Sequence, residues 1–61
     1  MPVVRISMIA GRSKEQKAKV AAAVTQAMVE HARSTAEDVN VIFDEQPRDN
    51  WAIAGKLLSE R

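Results

Sequence analysis

Pro2 has the most unusual chemistry in this sequence, because it directly follows the initiator methionine. Initiator methionine is usually removed when the next residue is small, which would leave Pro2 at the N-terminus. A proline nitrogen inside a chain is an amide without basicity, whereas a terminal proline nitrogen is a secondary amine. Terminal amines titrate near ~8, and burial or a nearby cation lowers that pKa further. We therefore consider Pro2 a candidate general acid or base.

Arg12 is the second candidate, because it lies where a predicted strand meets a predicted helix. Its planar guanidinium matches the two oxygens of a carboxylate, and the adjacent helix N-terminus also favours an anion. Both residues have an ordinary interpretation as well. Chain ends are usually without function, and most arginines are solvated. Taken singly, the ordinary interpretation is favoured for Pro2 and for Arg12.

Three segments would position these residues, and their patterns predict a βαβ unit. Val3–Ile9 alternates with the period and the β-branched content of a strand. Ser13 and Gln16 have the spacing of a capping box, and a helix should continue to about Ala32. Residues 39–45 alternate again as a second strand. Two strands joined by one helix should run parallel, with a right-handed crossover.

Five residues at spacings of three and four form the helix face expected to pack on the sheet: Val20, Val24, Ala27, Met28 and His31. The lysines at 14, 17 and 19 are expected on the solvated side. Residues 46–50 are predicted to form a turn or a single helical turn. Residues 51–55 are predicted to form a short extended piece, and residues 56–61 a tail. The result is one small α/β (α+β) domain over residues 1–61.

The length of the chain, 61 residues, favours association with other copies. A fold of this size buries only about 60% of the surface its unfolded chain exposes. The sequence contains no cysteine and one histidine, which excludes disulfides and a multi-histidine zinc site. A hydrophobic content of 46% is nevertheless typical of a globular protein. Since a sheet under one helix leaves its second face bare, we predict a homo-oligomer.

Charge and hydropathy give little support to other classes of partner. The net charge of +1 does not favour nucleic acid or an anionic membrane. No apolar run has the length of a membrane span, and Arg5 interrupts any signal-like region early. We therefore expect a cytoplasmic protein. The sequence contains no phosphate loop, nucleophile elbow or metal-ligand cluster.

In this order, the elements resemble the 4-oxalocrotonate tautomerase family over essentially the whole chain. The most specific part of the match is the segment Gly11-Arg12-Ser13 followed by Glu15-Gln16-Lys17. Pro2 after Met1 and the two strands fit as well. A looser match continues through Trp51 and Ala52-Ile53-Ala54-Gly55-Lys56.

The resemblance implies a βαβ unit with a short C-terminal β piece, dimers with a four-stranded sheet, and commonly a hexamer of three dimers. It implies keto–enol tautomerisation of a small unsaturated 2-hydroxy or 2-oxo acid, like 2-hydroxymuconate in aromatic catabolism, without metal or organic cofactor. Pro2 would be the general base, and Arg12 would bind the substrate carboxylate. Trp51 would line the pocket, although packing at an interface explains a tryptophan equally well.

Asn40 departs from the family pattern, because typical members carry an arginine there, supplied by a neighbouring subunit, that binds the substrate. An amide donates a hydrogen bond without charge. We therefore expect a smaller or less charged keto acid, or weak action on the family substrate. Arg5, Arg33 or Arg48 could replace the missing charge. Two further functions stay open: hydration or dehalogenation of a small unsaturated acid, with Asp49 as the nearest carboxylate, and binding of a ligand or partner without catalysis.

Overall fold

The computed structural model describes all 61 residues and contains a parallel two-stranded sheet with one long helix. Strand β1 is Val3–Ile9, helix α1 is Lys14–Ala32, and strand β2 is Asn40–Gln46. The two strands are in register from Val3 opposite Asn40 to Ile9 opposite Gln46. The predicted βαβ unit is confirmed, with the second strand one residue later than expected.

A capping box fixes the start of α1, as the sequence predicts. The Ser13 hydroxyl accepts a hydrogen bond from the Gln16 backbone N–H at 3.1 Å. In return, the Gln16 side-chain oxygen accepts one from the Ser13 N–H at 2.9 Å. The helix ends at Arg33, which adopts the left-handed conformation with φ 59° and donates its N–H to the Met28 carbonyl. Both ends of α1 are therefore closed by local hydrogen bonds.

Helix α1 covers the sheet face that carries the less exposed residues of both strands, including Val4, Ile6 and Phe43. The helix face turned to the sheet differs in part from the predicted one. Its half-buried residues are Lys17, Ala21, Val24, Thr25, Met28 and Val29, whereas the predicted Val20, Ala27 and His31 are exposed. On this face, the Lys17 ammonium group pairs with Glu45 of β2 at 2.8 Å.

The opposite face of the sheet is uncovered within the chain, and we call it the open face. Val3 and Ile42 lie on it and are 53% and 39% exposed. No residue of the chain is fully buried. The radius of gyration is 14.4 Å, whereas a compact domain of this length has about 10.5 Å. The chain therefore encloses no core by itself, and the exposed apolar side chains of the open face are available to another copy.

The C-terminal segment forms a hairpin, so the predicted short extended piece is confirmed at Ala52–Ile53, whereas the predicted tail instead begins with a second strand. After a turn of 3₁₀ helix at Arg48–Asn50, strands β3 (Ala52–Ile53) and β4 (Lys56–Leu57) pair antiparallel. The chain reverses at Ala54 and Gly55, whose φ angles of 54° and 81° are both positive. Positive φ at both central residues is the geometry that two-residue hairpins favour. None of the helices combines the length and apolar character that a bilayer crossing requires.

We predict that Ser13→Ala lowers the free energy of unfolding by about 1 kcal/mol, because the Gln16 N–H loses its partner at the helix start. Urea denaturation at a fixed protomer concentration measures this change. Ser59→Ala is the matched control, because Ser59 is exposed in the last turn and makes no side-chain hydrogen bond. Equal midpoints for the two variants would contradict the stabilising role of the capping box.

Candidate active site

Pro2 lies at the edge of the sheet where both strands begin, which we call the amino end. Its carbonyl accepts a hydrogen bond from the Asn40 N–H at 3.0 Å, so the backbone pairing of the sheet extends to Pro2. Pro2 is half-buried, while Met1 is 89% exposed. Loss of Met1 would therefore remove almost no packing. It would leave the Pro2 nitrogen as an amine held by the sheet.

Arg12 lies at the other edge, which we call the carboxyl end, and it is held on both sides. Ala10 donates its N–H to the Gln46 carbonyl at 2.9 Å, which ties the loop to the end of β2. Ser13 is fixed by the capping box. The Arg12 side chain is exposed and forms no ion pair within the chain. Its guanidinium is therefore available to a carboxylate and lies beside the N-terminus of α1.

Pro2 and Arg12 do not meet within one chain, because the whole of β1 lies between them. Seven strand residues span about 23 Å at the usual rise per residue. The single protomer therefore does not form the pairing of amine and guanidinium that a common site would need. It also encloses no cavity in which a small molecule could be surrounded.

Asn40 lies at the amino end of the sheet, and Trp51 lies at its carboxyl end. Asn40 is the first residue of β2 and neighbours Pro2 through the backbone, although the alternation of the strand places its side chain on the open face. The Asn40 amide nitrogen donates to the Asp38 carbonyl at 3.1 Å. Trp51 follows the carboxyl end of β2 and is half-buried. Its carbonyl accepts a hydrogen bond from the Leu58 N–H at 2.8 Å.

Two ion pairs flank these residues, and sequence analysis did not predict either pair. On the open face, Arg5 donates two hydrogen bonds to the Asp44 carboxylate, each 3.1 Å long. The hydrogen bonds and the charge of Asp44 raise the pKa of Arg5. On the helix side, Lys17 pairs with Glu45, and each side chain is 29% exposed. The prediction that Lys17 is solvated is therefore wrong.

These two ion pairs could be predicted only from the strand register, which the sequence alone does not give. Asp44 and Glu45 point to opposite faces, as expected for strand neighbours, and each finds its own cation. Arg5 stands opposite Ile42, so it meets Asp44 diagonally across the two strands. The register must be known before such a diagonal can be assigned. His31, the single histidine of the chain, is 80% exposed on the helix surface.

The two ends of the sheet offer complementary chemistry. The amino end holds a potential proton acceptor and a neutral amide, whereas the carboxyl end holds a free guanidinium and an indole. No three His, Cys, Asp or Glu residues lie together as a set of metal ligands. The chemistry available at these ends is proton transfer and recognition of an anion.

Comparison with known proteins identifies the family. The family model described as tautomerase enzyme matches residues 2–61. The 2-hydroxymuconate tautomerase of Comamonas testosteroni is 44% identical over 60 residues, which cover 98% of this chain and 95% of that protein.

Solved structures of similar length share the fold. TomN, a 4-oxalocrotonate tautomerase homologue of the tomaymycin biosynthetic pathway, aligns with a TM-score of 0.94 at 33% identity, covering 98% of this chain and 92% of TomN. A heterohexamer 4-oxalocrotonate tautomerase from Chloroflexus aurantiacus J-10-fl aligns with a TM-score of 0.91 at 35% identity, covering 98% and 97% of the two chains. From the family match and these similarities, we conclude that the chain belongs to the 4-oxalocrotonate tautomerase family of tautomerase enzymes.

Proposed function

We propose that the protein is a tautomerase that interconverts the keto and enol forms of a small unsaturated 2-hydroxy or 2-oxo acid, with the Pro2 amine as its acid–base group. The observation that carries this proposal is the position of Pro2. It is half-buried and bound to β2 through its carbonyl, while the residue before it extends into solvent. Removal of that one residue converts a backbone amide into a positioned base.

The proposed reaction moves one proton along a conjugated acid. The Pro2 amine removes a proton at one position of the substrate and returns it at another, while the double bonds shift between them. Atoms and electrons balance without an oxidant, a reductant or a cofactor. A terminal amine has a pKa near ~8, which lets the same nitrogen accept and release a proton close to neutral pH.

Arg12 has the complementary role in this proposal. Its guanidinium holds the substrate carboxylate through two parallel hydrogen bonds and draws negative charge toward itself as the enolate forms. Trp51 supplies an apolar wall that excludes water, and a drier site strengthens the pull of Arg12. Both residues belong to the carboxyl end of the sheet, so they act from a different copy of the chain than Pro2.

We further propose that the site forms between copies, where the amino end of one protomer meets the carboxyl end of another. The open face supports this arrangement, since Val3 and Ile42 are exposed and no residue is fully buried in one chain. Dimers with a four-stranded sheet, associating into a hexamer in the cytoplasm, are the assembly that we propose. The solved relative from Chloroflexus aurantiacus is itself a heterohexamer.

Hydration or dehalogenation has less support, because it needs a carboxylate to activate water. Asp44 and Glu45 are already engaged by Arg5 and Lys17. Asp49 is left, exposed in the turn before Trp51. Product analysis with a haloacrylate distinguishes this chemistry from tautomerisation. If the processed protein turns over no substrate in any of these assays, the result favours binding of a ligand or partner without catalysis.

We predict that a blocked Pro2 nitrogen abolishes tautomerisation. A short peptide fused before Pro2 keeps its nitrogen as an amide, and kcat should fall at least about 100-fold, the scale of one acid–base group. The same peptide fused after Arg61 is the matched control and should leave kcat within twofold. Absorbance of a 2-hydroxydienoate or phenylenolpyruvate measures the rate, and intact mass establishes whether Met1 is present. Full activity of the N-terminal fusion would exclude Pro2 as the base.

We predict that Arg12→Ala raises KM for a 2-hydroxydienoate about tenfold or more, because the substrate carboxylate loses its charged partner. Arg61→Ala removes the same charge from the exposed chain end and should leave KM unchanged. Steady-state kinetics of both variants provide the measurement. An Arg12→Ala enzyme with wild-type KM and kcat would show that the carboxylate binds elsewhere.

We predict that activity per protomer falls on dilution together with the fraction of assembled protein, because the proposed site needs two copies. Analytical ultracentrifugation gives the oligomeric state at each concentration, and the absorbance assay gives the specific activity. A fully active monomer would contradict the shared site while leaving the role of Pro2 untouched.

A further inference from the structure

We propose that the natural substrate carries a single carboxylate and that its opposite end is uncharged. This inference rests on the proposed function and narrows its substrate class. It follows from the unequal charge at the two ends of the sheet. The carboxyl end supplies Arg12, exposed and without an ion pair in the chain, as a receptor for one carboxylate. At the amino end, the sheet supplies no unpaired cation beside Asn40, and Arg33 at the end of α1, which is exposed and unpaired, is outnumbered by Glu37 and Asp38.

The cation nearest to Asn40 in the sheet register is already occupied. Arg5 lies on the same open face as Asn40. It stands opposite Ile42, two residues further along the strands. Two of its donors, Nε and one terminal nitrogen, bind the two oxygens of Asp44 at 3.1 Å each. This is the bidentate geometry that a substrate carboxylate would need. Asp44 therefore fills the receptor that would otherwise accept a second carboxylate.

The segment that leads into β2 is acidic on balance. Residues 33–40 contain one cation, Arg33, and two acids, Glu37 and Asp38, which gives a net charge of −1. Neither acid forms an ion pair within the chain. Like charges brought close together repel, and the repulsion is strongest where water is excluded. A second substrate carboxylate at this end would meet net negative charge.

The Asn40 amide is oriented by its neighbour. One of its N–H donors is used by the Asp38 carbonyl at 3.1 Å, and its own oxygen accepts no hydrogen bond within the chain. The free amide oxygen and the second N–H suit a group that both donates and accepts, such as a hydroxyl group, whereas a carboxylate would use only the N–H and would find no charged partner there. The amino end therefore favours a neutral group on the substrate.

The test compares two acids that share the 2-hydroxydienoate unit, each followed at its own absorbance maximum, using processed protein with a free Pro2 nitrogen. One is 2-hydroxymuconate, with two carboxylates, and the other is 2-hydroxypenta-2,4-dienoate, with one. The wild type should show at least a tenfold higher kcat/KM for the monoacid. Asn40→Arg should reduce that preference about tenfold, which corresponds to about 1.4 kcal/mol. Asp44→Ala should reduce it too, because it releases Arg5 on the same face.

The matched control is Ala22→Arg, which adds the same charge on the solvated helix surface near Lys19 and Gln26. Its preference should equal that of the wild type, since alanine and arginine are both good helix formers and the site is untouched. A wild type that prefers the diacid, or equal preferences in Asn40→Arg and Ala22→Arg, would overturn the single-carboxylate inference alone. No turnover of either acid would overturn the proposed function itself.

Discussion

The length of β1 is the constraint on which the rest of this molecule depends. The seven residues of β1, about 23 Å long at the usual rise per residue, lie between Pro2 and Arg12 and place them at opposite ends of the sheet. A catalyst that uses both groups must therefore be built from more than one copy. The short sheet also leaves the chain without a buried core. Association with another copy would therefore cover the open face and complete the site at the same time.

Local hydrogen bonds make each half of such a site precise before any copies meet. Arg12 is bracketed by the bond from Ala10 to Gln46 and by the capping box at Ser13, so its backbone is fixed at the start of the helix. Pro2 is fixed through the bond to Asn40. The backbones of both residues are therefore positioned before association, whereas the exposed side chain of Arg12 is still to be ordered by it.

The sequence predicted the framework well because its signals are local. The alternation in β1, the Ser13–Gln16 spacing and the apolar residues at Val24 and Met28 each act within a few neighbours, and the structure confirms them. The errors in the helix face arose where contacts between residues far apart in the sequence determine which side chains are covered. The ion pair of Lys17 with Glu45 joins residues 28 positions apart, so no local pattern placed Lys17 on the side of the sheet. The separation of Pro2 from Arg12, by contrast, follows from the length of the predicted strand between them. The roles of both residues stay predictions until they are assayed.

The hydrogen bond between Asn40 and Pro2 has a consequence for how such a protein would fail. It is the last rung of the parallel ladder, and terminal rungs open more readily than central ones because they have pairing on one side only. If catalysis depends on Pro2, gentle warming abolishes activity by opening the bond between Pro2 and Asn40, while the helix and the remaining strand pairing persist. The working temperature limit of the molecule is then set by the strength of one edge bond, and spectroscopic melting of the helix overestimates it.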